Sequence, residues 1–382
     1  MSPALPLAGL RVLDLSRVLA GPYAAMVLGD LGADVIKIEH PRGDDTRRWG
    51  PPEHDGLAAY YLTANRNKRS RVLDFTDPGD HKALLELIAG ADVLIENFKV
   101  GDLARHGLDF ATLHARHPRL VYCSITGFGQ TGPLAARAGY DALIQGMGGL
   151  MSVTGPDAAH PTKVGVAIAD LGTGLHAVIA VLAALRERER SGLGQHCDLA
   201  LFDSQVSLLA NLAMNFLCTG EVPRPLGDAH PTIVPYQSFL TADRALMIAV
   251  GNDLQFASLC RALGEPQWAD DPRFCSNPAR VQHREILVPM IADNLRTHPR
   301  DHWLAVFGAL VDGFPHGPIQ DLGELAGDPQ LQARGLFTTM DDGRTPCLKS
   351  PIGLSRTPVR SYRRPPALGE HGDATWDPIP GS

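Results

Sequence analysis

The chain has 382 residues, of which 44% are hydrophobic and 20% are charged, so it can bury a substantial core. Its 39 glycines and 30 prolines stay below the share that marks low-complexity chains, which excludes a disordered or fibrous protein. The formal net charge of −7 argues against general nucleic-acid binding, because neutralising phosphates requires a basic face. At roughly 100–200 residues per domain, the length predicts two or three domains.

Short strand patterns alternate with helix patterns through the first half of the chain. The strand patterns lie at 10–15, 34–39, 71–75, 92–96 and 120–126, and helix patterns lie at 20–31 and 81–89. This alternation is typical of an α/β fold, in which helices cover both faces of a parallel sheet.

The second half opens with the clearest helix pattern, at 171–190, which Gly192 is expected to end. Further patterns predict a strand at 195–199 and an apolar helix at 201–217. A proline-rich linker at 221–235 then leads to a smaller α+β domain, with strands at 236–240 and 245–250 and helices near 253–263, 278–296 and 300–312. Residues 340–382 have weak periodicity and predict a tail that packs on the larger domain.

Cysteine usage and the absence of targeting signals predict a cytoplasmic protein. The six cysteines are scattered without a C-x-x-C pair, which favours buried small apolar residues over disulfides. Residues 1–13 lack the parts of a signal peptide, and the longest uncharged stretch, 204–220, contains several polar residues. We therefore expect no membrane partner.

Residues 127–132 read GFGQTG, which is formally the G-x-G-x-x-G of dinucleotide sites. Such a site needs a long helix after the third glycine, whereas Pro133 follows at once and Gly139 comes soon after. The pattern therefore favours a tight glycine loop, whose backbone could still approach a ligand. The histidines form no H-E-x-x-H motif, so we expect no metal.

Asp170 directly precedes the long helix pattern and follows small apolar residues. One interpretation is a helix N-cap, because Asp accepts hydrogen bonds from the first free N–H groups. The other is a nucleophile, with two following glycines, Gly172 and Gly174, leaving room for a bulky substrate. We expect an ordinary aspartate to be ionised at pH 7, since its reference pKa is about 3.9.

Motifs along nearly the whole chain resemble those of family III CoA-transferases, which include formyl-CoA transferase and carnitine CoA-transferase. The resemblance rests on LRVLDLSRVLAGP (10–22), LGADVIKIE (31–39), NKRS (67–70), ADVLIENF (91–98), GFGQTGP (127–133), GYD (139–141), PHGPI (315–319) and LGEH (368–371).

The resemblance implies a Rossmann-like large domain built from residues 1–220 and 330–382, with the linker and small α+β domain at 221–329 between them. It also implies two subunits that interlock as rings in a homodimer. It favours Asp170 as the nucleophile that passes CoA from an acyl-CoA to a free carboxylic acid, through an aspartyl mixed anhydride and an aspartyl-CoA thioester. CoA thioesters are then substrates, and no cofactor is expected.

The same resemblance implies twelve residues for the CoA site. They are Val18, Leu19, Ala20, His40, Leu73, Thr76, Asn97, Phe98, Lys99, Arg105, Arg137 and Tyr140. Leu19 stands where formyl-CoA transferase has glutamine, and its glycine-rich loop has no match near 250–253, which disfavours formate and oxalate as substrates. His40 replaces an arginine there. A succinyl-CoA donor and a dicarboxylic acceptor are suggested by related enzymes and by Arg137.

Two alternatives remain open from the sequence. One is an α-methylacyl-CoA racemase, but those enzymes have histidine where this chain has Tyr140, and tyrosine is a poor base at pH 7. The other is a non-catalytic acyl-CoA-binding protein in which Asp170 only caps its helix.

Overall fold

The computed structural model describes residues 4–377. Residues 1–3 and 378–382, which the domain prediction includes, lie outside the described residues. The chain forms two compact units, the first comprising Met1–Leu150, Lys163–Glu221 and Gln330–Ser382, and the second comprising Met151–Thr162 and Val222–Pro329. The sequence analysis had placed 151–162 in the large domain, whereas these residues group with the second unit.

The first unit is built on a six-stranded parallel sheet. Its strands up to residue 200 are, in chain order, β1 Arg11–Asp14, β2 Asp34–Glu39, β3 Glu53–His54, β4 Leu57–Ala58, β5 Lys68–Val72, β6 Val93–Glu96, β7 Val121–Thr126 and β8 His196–Ala200. The sheet has the order β5-β2-β1-β6-β7-β8, while β3 and β4 form a separate hairpin. The predicted α/β fold with a parallel sheet is confirmed.

Helices cover this sheet and connect its strands. They are α1 Ala20–Asp30, α2 Ala59–Ala64, α3 Pro78–Ala89, α4 Phe110–Arg116, α5 Asp141–Met147, α6 Ile168–Ser191, α7 Leu201–Ser207 and α8 Ala210–Thr219. The single helix predicted at 201–217 is therefore two helices, α7 and α8. The strand predicted at 71–75 is β5, which begins at Lys68 because the side chains of Lys68 and Ser70 are buried among polar partners.

Alternating side chains of the central strands enter two different cores, as a sheet buried on both faces requires. Val12 and Val93 pack with α1 and α6 on one face. Their neighbours Leu13 and Leu94 pack with α3 and α4 on the other face. This alternation holds the ends of the strands in register at the edge where the candidate site lies.

Helix α6 is long and apolar enough to cross a membrane by length and composition, although 44% of its most apolar window is buried inside the structure. Its buried face packs against α1, where a Cβ on Gly174 would lie 2.8 Å from the carbonyl oxygen of Ala20. The close approach of the two helices therefore requires glycine at 174.

The second unit has its own core and an antiparallel sheet. Its strands are β9 Tyr236–Leu240, β10 Ala245–Ala249 and β11 His316–Pro318, in the order β11-β10-β9. Its helices are α9 Asp253–Ala262, α10 Asn277–Gln282, α11 Arg284–Leu295, α12 Arg300–Gly308 and α13 Leu322–Ala326. The helix predicted at 278–296 divides into α10 and α11 at His283.

The chain returns to the first unit through α14 Pro329–Arg334 and β12 Phe337–Thr339. Strand β13 Pro346–Leu348, which pairs with β12, lies in the predicted tail. Tyr362 lies in the core beside α1 and α6, and the Trp376 indole N–H donates to the Leu87 carbonyl at 2.8 Å. The tail therefore packs on the first unit.

Candidate active site

The candidate site lies where the chain order of the strands reverses direction across the sheet. Strand β1 neighbours β2 on one side and β6 on the other, so the loops after β1 and β6 leave the sheet in opposite directions. Ligands of open parallel sheets bind outside the carboxyl ends of the strands at such a point. Residues 17–20 follow β1 and residues 97–99 follow β6.

Asn97 joins these two loops. Its side-chain oxygen accepts the Arg17 N–H at 2.9 Å, and its side-chain nitrogen donates to the Arg17 carbonyl at 2.7 Å. The Arg17 guanidinium lies over the ring of Phe98, 5.4 Å from its centre. This pair of hydrogen bonds holds the crevice between β1 and β6 in one shape.

A cavity of about 220 Å³ opens from this crevice. Nine of the residues implied by the family resemblance line it: Val18, Leu19, Ala20, Asn97, Phe98, Lys99, Arg137, Tyr140 and Asp170. They come from four separate segments of the chain, so the fold brings distant motifs together.

A second cavity of about 510 Å³ shares Arg17, Asp45 and Phe98 with the first. His40 and Leu73 line this second cavity. The shared residues make the two cavities neighbours along one groove.

Two implied residues line neither cavity. The exposed Thr76 donates its hydroxyl to Asp74 at 2.6 Å. Arg105 is exposed and pairs with Asp102, which does line the first cavity. The structure therefore does not bring Thr76 and Arg105 together with the other candidate residues.

Asp170 is not a helix N-cap. Helix α6 begins at Ile168 with Ala167 as its cap residue, so Asp170 lies in the first turn. The cap is provided by another helix, because Asp141 accepts the N–H groups of Ala169 at 2.8 Å and of Asp170 at 3.4 Å. The Asp170 carboxylate is thereby left available to face the cavity.

Asp170 also departs from the expectation that it is fully ionised at neutral pH. Burial, together with the negative charge of Asp141, raises its pKa to about 7. Burial disfavours a charge because few water molecules remain to solvate it. A carboxylate that is poorly solvated and only partly ionised at pH 7 is a stronger base than an exposed aspartate.

Val18 lines the cavity in a strained backbone conformation, with φ of 72°. A network of buried charges holds it there. The Val18 N–H donates to both Asp44 oxygens at 3.3 Å, and the Lys37 ammonium donates to Asp44 at 3.0 Å and to the Ser16 carbonyl at 2.7 Å. Lys68 in turn donates to Asp14 at 2.8 Å. This network positions the loop that lines the cavity.

The glycine loop at 127–132 has a packing role. A Cβ on Gly127 would lie 2.6 Å from the backbone nitrogen of Gly139, so the two backbones touch. This contact places Tyr140 and Asp141 beside the loop. Helix α5 follows instead of the long helix that a dinucleotide site would require after Gly132.

Among residues 4–377, no group of three or more His, Cys, Asp or Glu side chains is arranged to hold a metal ion. The expected absence of metal and cofactor remains a prediction.

The sequence analysis missed three residues of this site. Arg17 lines both cavities, Asp44 holds Val18, and Asp141 caps α6. Asp141 and Arg17 lie inside the quoted motifs, next to the candidate residues Tyr140 and Val18. This proximity in the sequence could have indicated that they belong to the site. Asp44 lies in a loop after β2 and carried no recognisable pattern.

The comparisons with known proteins agree with this geometry. The model of CoA-transferase family III matches residues 7–372. A succinate–glutarate CoA-transferase from Agrobacterium fabrum is 49% identical, over 96% of this chain and 94% of its own length. A succinyl-CoA:glutarate CoA-transferase from Mus musculus is 42% identical, over 96% of this chain and 84% of its own.

A solved structure has the same fold. A CaiB/BaiF family protein from Brucella suis is 47% identical and superposes with a TM-score of 0.88, covering 97% of this chain and 98% of the other. This chain belongs to CoA-transferase family III and is an enzyme of that class.

Proposed function

We propose that this enzyme transfers CoA from succinyl-CoA to glutarate or a similar short dicarboxylic acid, with Asp170 as the nucleophile. The observation that carries the proposal is the placement of Asp170, partly buried and with a raised pKa, in the cavity with eight other implied site residues. The names of the Agrobacterium and mouse relatives support the substrates.

The proposed chemistry balances without ATP or a cofactor. The Asp170 carboxylate attacks the thioester carbonyl and expels CoA thiolate, leaving a mixed anhydride. The thiolate attacks the Asp170 carbonyl and releases succinate, leaving an aspartyl-CoA thioester. The acceptor carboxylate attacks that thioester and expels thiolate again. The thiolate then attacks the acceptor carbonyl, giving the new acyl-CoA and free Asp170. The covalent intermediates divide one difficult transfer into easier steps.

The CoA thioester would lie along the two neighbouring cavities. Val18, Leu19 and Ala20 would line the thioester end, and Asn97, Phe98 and Lys99 the middle. His40 and Leu73 would contact the adenosine end. Thr76 and Arg105 line neither cavity, so their proposed contacts rest on the family resemblance alone.

Arg137 is the proposed partner of the distal carboxylate of the acceptor. It lines the cavity with Asp170, and it forms no ion pair with a carboxylate of residues 4–377. An arginine can bind a carboxylate through two parallel hydrogen bonds, which favours a dicarboxylic acid over a monocarboxylic one. Tyr140 is 66% exposed beside it, and the racemase alternative gains no support from the named relatives.

Mass spectrometry of the products tests the proposed substrates. Enzyme mixed with succinyl-CoA and glutarate is expected to give glutaryl-CoA and succinate in equal amounts. Arg137→Gln is expected to raise KM for glutarate and to leave KM for a monocarboxylic acid such as butyrate unchanged. Arg116→Gln, an exposed change on α4, is the matched control. Succinyl-CoA hydrolysis without glutaryl-CoA would contradict the proposal, as would transfer limited to monocarboxylic acids.

We also propose the finer features of the fold and assembly. The strand order is that of doubly wound nucleotide-binding sheets, which supports a Rossmann-like large domain within residues 1–220 and 330–382, without 151–162, and a separate small domain at 221–329. We propose that the enzyme is cytoplasmic and forms an interlocked homodimer. We also propose that it uses no cofactor and binds neither a membrane nor a nucleic acid.

An exposed apolar face supports the dimer. Helix α8 has no buried residue, and Met214 and Leu217 on it are 56% and 72% exposed. Ile179 on α6 is 62% exposed. Met214 and Leu217 lie three positions apart on α8 and form an exposed apolar face of the kind that another chain covers.

A further inference from the structure

The first turn of α6 depends on a residue of another helix. A helix leaves its first N–H groups without internal partners, and a side chain at its cap position usually accepts them. Here the cap residue is Ala167, which has no side-chain acceptor. Asp141, 29 positions before Asp170, accepts the N–H of Ala169 at 2.8 Å and that of Asp170 at 3.4 Å through the same oxygen.

Asp141 is itself held in place by a buried amide. Its second oxygen accepts a hydrogen bond of 2.7 Å from the side-chain N–H of Gln145, which lies one turn further along α5. Gln145 is fully buried, and its oxygen accepts the Val164 N–H at 2.8 Å. Gln145 therefore joins Asp141 to the segment that leads into α6, and both Asp141 oxygens have defined partners.

We propose that Asp141 is a positioning residue for the transfer reaction, which fixes the first turn of α6 from outside and places a second negative charge beside Asp170. The inference rests on the proposed role of Asp170 as nucleophile. Asp141 does not line the cavity, so it acts through Asp170 and not on the substrate.

The charge of Asp141 has a chemical consequence. Besides burial, it is the negative charge that raises the pKa of Asp170 to about 7. A like charge disfavours the ionised form of its neighbour. An aspartate held in this way keeps a basic oxygen for attack on a thioester.

Other charged and titratable groups also face Asp170, and they remain unchanged in every variant compared below. The cavity contains Arg17, Asp45, Lys99, Asp102, Arg137 and Tyr140. Tyr60 on α2 also faces it, since the charges of Asp170 and Asp141 add to burial in raising the pKa of Tyr60. A shift that follows a change at Asp141 alone can therefore be assigned to Asp141.

The test is the pH dependence of kcat/KM for succinyl-CoA between pH 5 and 9. In the unchanged enzyme, activity is expected to rise with pH through about 7, as Asp170 loses its proton. Asp141→Asn keeps a side-chain oxygen for the α6 cap and removes the charge, so Asp170 should ionise more easily. The acid limb is expected to move to lower pH by roughly half a unit or more.

Two further variants separate charge from folding. Asp141→Ser also removes the charge, and it should move the acid limb in the same direction. Asp109→Asn is the matched control, because Asp109 is a capping aspartate on its own helix α4, accepting the Thr112 N–H at 3.1 Å, and lies outside the cavity of Asp170. It should leave the acid limb unchanged.

The outcomes distinguish this inference from the proposed function. An acid limb that stays in place in both folded Asp141 variants would overturn the positioning role, while loss of transfer in Asp170→Asn would still support the nucleophile. Full transfer activity in Asp170→Asn would instead overturn the proposed function itself. A shift in Asp141→Asn and Asp141→Ser, but not in Asp109→Asn, supports the inference.

Discussion

Replacement of Asp170 by Asn is expected to lower CoA transfer by roughly a thousandfold or more, as removal of a covalent nucleophile does in other enzymes. Asn has nearly the same shape, but its amide cannot form the anhydride or the aspartyl-CoA thioester. The measurement is the initial rate of glutaryl-CoA formation from succinyl-CoA and glutarate. Binding of CoA, measured by calorimetry, should change little.

The Tm of Asp170→Asn at pH 8 is a second prediction, and its direction follows from the raised pKa of Asp170. Burial raises the pKa of Asp170 to about 7, above the value of about 3.9 for an unfolded chain. The folded chain therefore holds the proton more tightly, and ionisation of Asp170 opposes folding as the pH rises from about 4 to 7. Asp170→Asn cannot ionise, and it provides no helix cap, so its Tm at pH 8 should equal or exceed that of the unchanged enzyme.

Asp203→Asn is the matched control, an exposed change of the same kind on α7. It should keep full transfer activity and an unchanged Tm. Asp170→Asn that folds and retains more than a few per cent of the rate would remove Asp170 from the mechanism.

Dilution of the proposed interlocked homodimer is expected to leave it intact at nanomolar concentration. Two interlocked chains cannot separate without unfolding, so dissociation and unfolding should be a single event. Mass photometry measures the first, and denaturant unfolding followed by circular dichroism and size-exclusion chromatography measures the second.

A surface variant provides the contrast for this prediction. Leu217→Glu places a charge on the exposed apolar face of α8, where an ordinary dimer held by that face alone should then separate on dilution. An interlocked dimer should remain dimeric despite a lower Tm. A folded monomer that appears reversibly on dilution of the unchanged enzyme would contradict interlocking.

The sequence predicted the central strands well, because their apolar residues alternate between two buried faces. Strand β2 lies at 34–39 as predicted, and α1 ends one residue before the predicted end at Leu31. Strand β5 was misplaced, since Lys68 is charged yet fully enclosed with Asp14 as its partner. Periodicity cannot distinguish a buried charge from an exposed one.

The candidate site was only partly predictable for a related reason. The family resemblance gave nine residues of the first cavity, and six of these lie in the contiguous, recognisable motifs quoted above. The role of Asp141 depends on a contact with a helix that begins 27 residues later, and no local pattern carries such a contact. The helix pattern begins at 171, three residues after the actual start of α6 at Ile168, which is why the sequence puts Asp170 at the cap position. Its raised pKa arises from burial and from Asp141, and neither is visible in a local pattern.

The central claim is that Asp170 exchanges oxygen with both acids during transfer, and glutarate labelled with ¹⁸O in its carboxylates tests it most directly. Each turnover leaves one acceptor oxygen on Asp170. Later turnovers release this oxygen in succinate, because either oxygen of the carboxylate can attack the next succinyl-CoA. The account predicts that mass spectrometry finds ¹⁸O in the succinate formed over many turnovers, and none when Asp170→Asn replaces the enzyme. Succinate without ¹⁸O, formed while glutaryl-CoA accumulates, would contradict the covalent route through Asp170.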